Sequence, residues 1–126
     1  MNDDRRLMGI ALEEARRAFE EEEVPVGAVV VFEGRVVGRG RNAKESSCDP
    51  TAHAEVLAIR QAARALGRWR LSGCTLYVTL EPCPMCIGAM ISARLDRLVF
   101  GCTDEKAGAA VTLYDLARDA RMNHQL

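Results

Sequence analysis

The sequence predicts an α/β fold with strands interleaved between helices, and three observations carry that expectation. Apolar residues recur at three- and four-residue steps in the opening segment and again between His53 and Leu66, the period of a helix facing a core. Two nearly unbroken apolar runs, Val26 to Phe32 and Thr75 to Leu80, read instead as buried strands. Proline and glycine mark the changes of period, at Pro25, Gly34, Gly67 and Pro84. Such alternation places helices against a sheet.

In chain order, Leu7, Met8, Ala11, Leu12, Ala15, Ala18 and Phe19 form the apolar stripe of a first helix, with Glu13, Arg16 and Arg17 opposite. The acidic run Glu20 to Glu23 follows as a solvated helix end, where negative charge opposes the helix dipole. Pro25 holds Val24 extended, and the strand Val26 to Phe32 turns at Glu33-Gly34 into a second strand, Arg35 to Gly38. Gly40 to Asp49 reads as a polar loop. A second helix runs from about His53 to Leu66, with Val56, Leu57, Ile59, Ala63 and Leu66 as its apolar positions and Gly67 as its stop. Asp49-Pro50-Thr51 supplies its start signals. A strand from Thr75 to Leu80 leads into a third helix, Pro84 to about Ala93. Leu98 to Gly101 makes a fourth strand, Gly108 a loop, and Val111 to Ala117 a short last helix. No repeat or linker divides the chain, so residues 1–126 read as one domain.

Two short stretches carry the chemistry: Thr51-Ala52-His53-Ala54-Glu55 and Pro82-Cys83-Pro84-Met85-Cys86. A catalytic zinc site takes three protein ligands and keeps a fourth position for water, whereas a structural site is closed by four. Here the grouped ligands are three: His53, Cys83 and Cys86. The cysteines, three apart at a helix start, share one face, and the positive helix end favours thiolates. His53 and Glu55 would diverge by roughly 200° inside a helix, so both face one metal only if the helix begins there. Glu55 is then the proton shuttle beside the metal. The alternative is a non-enzymatic zinc module in which Cys48, Cys74, Cys102 or His124 closes the site.

Composition limits the remaining classes. The apolar fraction of 48% argues against disorder. No stretch is long and apolar enough for a membrane helix, and Met1-Asn2-Asp3-Asp4-Arg5-Arg6 does not open a signal peptide, so a cytoplasmic protein is expected. Five cysteines, two of them in the metal motif, do not make a disulfide framework. The formal net charge of −1 gives no general attraction to nucleic acid, so any RNA contact has to be local. Fifteen of the seventeen basic residues are arginine, and Arg39, Arg41, Arg94, Arg97 and Arg121 lie nearest in sequence to the expected cleft.

His-x-Glu followed by Pro-Cys-x-x-Cys is the signature of zinc-dependent base deaminases. Around it, Glu23-Val24-Pro25-Val26-Gly27-Ala28, Asp49 to Glu55, Thr75 to Cys83, Gly88-Ala89-Met90-Ile91, Asp104, Lys106 to Ala109 and Asn123-His124 extend the match over roughly residues 5 to 124. On these stretches the sequence resembles the bacterial tRNA-specific adenosine deaminases, within the cytidine deaminase-like superfamily. The resemblance implies a three-layer α/β/α fold around a mixed, five-stranded sheet and a homodimer with active sites near the interface. It implies zinc-dependent hydrolytic deamination of adenosine to inosine at the wobble position of a tRNA anticodon stem-loop. It assigns His53, Cys83 and Cys86 as Zn2+ ligands and Glu55 as the catalytic acid/base. Asn42 matches a residue that hydrogen-bonds the flipped base, and Asp104 one near the target ribose. The third helix, through Ile87, Met90 and Ile91, is the expected dimer contact. Family members usually continue beyond the Asn-His pair into a further strand and helix, whereas this sequence ends at Leu126; Cys102 and Val111-Thr112 stand where alanine and Gly-Ser are common. A deaminase of free bases or nucleotides, of guanine or cytidine type, or of single-stranded DNA would use the same metal motif.

Overall fold

The structure, a computed structural model, describes residues 3–126. Helix α1 (Asp4–Glu20) leads into strands β1 (Gly27–Phe32) and β2 (Arg35–Arg41), a single-turn helix α2 (Lys44–Ser47), helix α3 (Ala54–Leu66), strand β3 (Cys74–Val78), helix α4 (Pro84–Ala93) and strand β4 (Arg97–Phe100). The sheet order is β2-β1-β3-β4. β1 pairs antiparallel with β2 and β3, and β3 pairs parallel with β4 across α4. Hairpin, crossover and flanking helices make the expected mixed α/β sheet.

Strand periodicity assigns the layers. Val29 and Val31 of β1 and Tyr77 of β3 point to one face, where Leu7 and Ala11 of α1 cover them. Ala28, Val30, Leu76 and Val78 point to the other, against Ala54, Ala58 and Ala62 of α3 and Cys86, Ile87 and Met90 of α4. The order α1, sheet, α3 with α4 is the three-layer architecture that the sequence implies. Four strands form among the described residues, not five.

Several local expectations change. In α1 the stripe is Leu7, Ala11, Ala15 and Ala18, while Leu12 and Phe19 are exposed. The acidic run is not all solvated: Glu23 is buried and accepts the amides of Glu45 at 3.1 Å and Ser46 at 2.7 Å. Its carboxylate thus caps α2, inside the segment that reads as a plain loop. β2 runs on to Arg41, because Arg39, Gly40 and Arg41 continue the ladder with Gly27, Ala28 and Val29.

The buried line of α3 is Ala54, Ala58 and Ala62, and the larger Val56, Leu57, Ile59 and Leu66 are only half-buried. The reason is close approach: a Cβ on Gly40 would lie 2.2 Å from the carbonyl oxygen of Ala54, and one on Gly38 2.3 Å from that of Ala58. In α4, Ile87, Met90 and Ile91 are buried in this chain's own core, so they are not available for a dimer contact. No helix forms over 111–117; the amides of Ala110, Val111 and Thr112 converge on the Glu81 carboxylate.

Candidate active site

His53 and Cys83 occupy equivalent places, each the extended residue that caps a helix. Pro84 fills the first turn of α4, where a missing N–H costs nothing, and Cys86 follows within that turn. His53 Nδ1 lies 3.6 Å from Cys83 Sγ and 3.4 Å from Cys86 Sγ. All three ligand atoms fall within 4.8 Å of one another, close enough to hold one metal ion.

The donor set fits an open site. Cys74 is buried in the core, Cys48 is exposed, Cys102 Sγ approaches the carbonyl oxygen of Thr79, and the His124 ring approaches that of Leu95. Among the described residues, none of the four joins His53, Cys83 and Cys86 in a ligand group. One histidine with two thiols leaves a fourth tetrahedral position open.

Electrostatics sort the thiols. A hydrogen bond from Cys86 lowers the Cys83 pKa most, burial opposes it, and the amides of Cys86 and Met85 and the His53 ring lower it further, to about 5. The Cys86 thiol, donor in that pair and buried, is shifted upward. Glu55 lies in the first turn of α3 with 4% of its surface exposed. Burial, then the charge of Cys83, pushes it up to about 7. A carboxyl poised there can both take and return a proton near neutral pH.

The capping geometry explains the spacing of His53 and Glu55. Asp49 does not cap α3; its side chain accepts from the amide and hydroxyl of Thr51 in a tight local turn. The first amide of α3, at Ala54, instead donates to Asn42 Oδ1 at 2.9 Å. Asn42 is buried and thereby ties the end of β2 to the start of α3.

His53, Glu55 and Cys83 lie in a cleft of about 170 Å³. Asn42, Val24, Val26 and Lys44 form one side; Leu80, Glu81, Asp104 and Ala107 also line it. All the sequence-assigned site residues except Cys86 therefore line this space, and Cys86 is buried beside Cys83. The Asp104 carboxylate accepts the amides of Lys106 at 2.9 Å and Ala107 at 3.3 Å.

The arginines singled out by sequence proximity do not line the cleft. Arg39 and Arg41 reach Glu14, Arg41 also reaches Glu21, Arg97 binds Asp4, Arg121 binds Asp119, and Arg94 donates to the Ile91 carbonyl. A larger open groove of about 710 Å³ passes Arg17, Arg39 and Arg41, but it contains none of the metal-ligand candidates. The basic residue lining the cleft is Lys44, one of only two lysines in the chain.

Sequence reading also passed over Glu81. This side chain is 2% exposed. Burial alone would raise its pKa, but hydrogen bonds from Thr112, Val111 and Asp104 outweigh that and bring it to about 2. The available signal was a carboxylate placed between a strand end and the Pro-Cys step. Thr112 supplies its hydroxyl to this carboxylate.

A model of the MafB19-like deaminase family matches residues 2–124. The tRNA-specific adenosine deaminase of Bacillus subtilis (strain 168) is 49% identical over 125 residues, 99% of this chain and 78% of that protein. A solved structure from work on A-to-I editing by tRNA:A34 deaminases at the wobble position has a TM-score of 0.93 and 46% identity, covering 98% of this chain and 95% of that one. A guanine deaminase from Bacillus subtilis is more distant, with a TM-score of 0.78 and 39% identity, covering 82% of this chain and 66% of that one. With His53, Cys83 and Cys86 gathered beside the buried Glu55 and this identity sustained over nearly its whole length, the chain belongs to the tRNA-specific adenosine deaminases of the MafB19-like deaminase family.

Proposed function

We propose that this protein is a single-domain, zinc-dependent deaminase that converts adenosine to inosine in RNA, at the wobble position of a tRNA anticodon loop. The observation that carries the proposal is Glu55, buried in the same cleft as His53 and Cys83, which with Cys86 form a group able to hold a metal. Zinc held by those three side chains would supply Lewis acidity, the chemistry that makes water a nucleophile near neutral pH. Glu55 takes a proton from the attacking water and hands it to adenine N1; it then takes the proton of the new C6 hydroxyl and passes it to the departing amino group. Water adds at C6, the C6–N bond breaks, and the products are inosine and ammonia.

Asn42 has its carbonyl oxygen committed to the Ala54 amide, so its amide N–H2 is the group left to orient the base. Asp104 lies where it can meet the ribose, and Lys44 places positive charge for a flanking phosphate. A cleft this confined requires the base to leave its stack, which costs less in a loop than in a duplex. No helix among the described residues is long and apolar enough to cross a membrane, and a tRNA substrate places the enzyme in the cytoplasm. We also propose a homodimer, with the apolar hollow of Ile59, Ala63, Trp69 and Ala89 as the contact in place of the buried α4 residues. A monomeric mass at micromolar concentration would exclude it.

The test incubates zinc-loaded protein with an adenine-bearing anticodon stem-loop, the matched DNA hairpin, free adenosine and guanine. Inosine in the RNA alone is the expected result. Turnover of guanine or free adenosine without turnover of the RNA would replace the RNA reading by a free-base one.

A further inference from the structure

The 104–112 segment bears Asp104 and Ala107, two residues that line the cleft, yet it has no regular secondary structure to hold it. It is wound around one carboxylate. Glu81 Oε1 accepts the Asp104 amide at 3.0 Å and the Thr112 hydroxyl. Glu81 Oε2 accepts the amides of Ala110 at 3.0 Å, Val111 at 2.8 Å and Thr112 at 2.9 Å. Five donors from both ends of the segment thus converge on a side chain delivered by the end of β3. Gly108 provides an independent mark of the fit: a Cβ there would lie 2.5 Å from the Glu81 carboxylate and 2.5 Å from the Asp104 carbonyl oxygen. The segment has left room at its centre for the carboxylate.

We infer that Glu81 is a positioning residue that sets the 104–112 wall of the cleft and, through it, fixes Asp104 against the target nucleotide. The inference rests on the proposed deaminase reading for its substrate and on hydrogen-bond geometry for the mechanism. Glu81 touches no reacting atom in this scheme. Its removal weakens substrate binding and leaves proton transfer by Glu55 intact. An ionised carboxylate suits the task because it offers acceptors only, whereas a glutamine would turn an N–H2 group toward the same donors.

Glu81→Gln tests this with the full-length, zinc-loaded protein and the RNA stem-loop. KM rises tenfold or more, kcat stays within about threefold, and bound zinc is unchanged. In an Asp104→Ala background, Glu81→Gln adds less than a twofold further rise in KM, because both changes remove the same contact. Independently of activity, the Ala110, Val111 and Thr112 amides exchange with solvent at least tenfold faster in Glu81→Gln, while those of α3 do not change. Thr112→Val, which removes only the hydroxyl donor, raises KM about threefold and carries the test should Glu81→Gln fail to fold. A fall in kcat at constant KM, a full additional KM effect in the Asp104→Ala background, or unchanged amide exchange overturns the inference. If the parent protein makes no inosine, the deaminase reading fails, and amide exchange alone then judges whether Glu81 holds the wall.

Discussion

Glu55 is separated from His53 by a single residue, yet both line the cleft because of where α3 begins. His53 is extended and Ala54 is the first helical residue, so the carboxylate of Glu55 enters the cleft instead of diverging from the histidine. Glu55→Gln keeps the volume and all three metal ligands while removing the proton acceptor. Turnover of the stem-loop should fall by about 10²–10⁴-fold, with metal content unchanged by elemental analysis. Activity within tenfold of the parent would remove Glu55 from the proton-transfer role. Asn42 illustrates a second economy of single residues, since its carbonyl oxygen caps α3 while its side chain lines the cleft.

The contact between β2 and α3 depends on what is missing from its side chains. Gly38 and Gly40 face Ala54, Ala58 and Ala62, and the two backbones approach within the space that a Cβ would occupy. Gly40→Ala should destabilise the protein by about 1–3 kcal/mol through overpacking, seen as a lower urea midpoint. Because this contact also seats the first turn of α3, deamination should decline with it. Gly9, inside α1, has open space where its Cβ would be. Gly9→Ala should therefore raise stability by roughly 0.5–1 kcal/mol, from helix propensity alone. Equal effects at the two glycines would contradict the packing argument.

Over the whole molecule, one polar tie joins parts distant in sequence. Tyr77 on β3 donates to Asp4 Oδ1 at 2.6 Å, and Arg97 on β4 donates to both Asp4 oxygens, at 3.0 and 2.6 Å. The start of α1 is thereby fastened to the parallel pair of strands. Burial first, then the hydrogen bond and charge of Asp4, pushes Tyr77 up to about 12 from an ordinary value of 10. A raised folded-state value means that the native state holds its proton longer than the unfolded chain. The associated stability is complete below pH ~10 and is lost as the pH rises through ~12. Ultraviolet difference titration should find Tyr77 ionising well above the ordinary tyrosine value, and the urea midpoint should decline across that window. Tyr77→Phe should flatten the decline, and an unaltered slope would assign it to other groups.

The sequence by itself determined the alternation of elements and picked out His53, Cys83, Cys86 and Glu55, which the structure brings together. Period, turn residues and ligand spacing are local properties, legible wherever a helix starts beside its own motif. It also offered Ile87, Met90 and Ile91 as a dimer contact and five arginines near the cleft in sequence, and it did not tell the alanines of α3 from the larger apolar residues as the innermost line. The core takes up the first group and ion pairs or a backbone carbonyl the arginines, because hydrophobicity and charge along the chain do not state which partner lies opposite. Gly40 selects alanine across 14 residues of sequence, and Glu14 and Glu21 occupy Arg41 across 27 and 20. Only the tertiary structure decided the roles of Glu23 and Glu81. Each is a carboxylate whose partners are backbone amides about twenty to thirty residues away, and backbone amides carry no signature in a sequence.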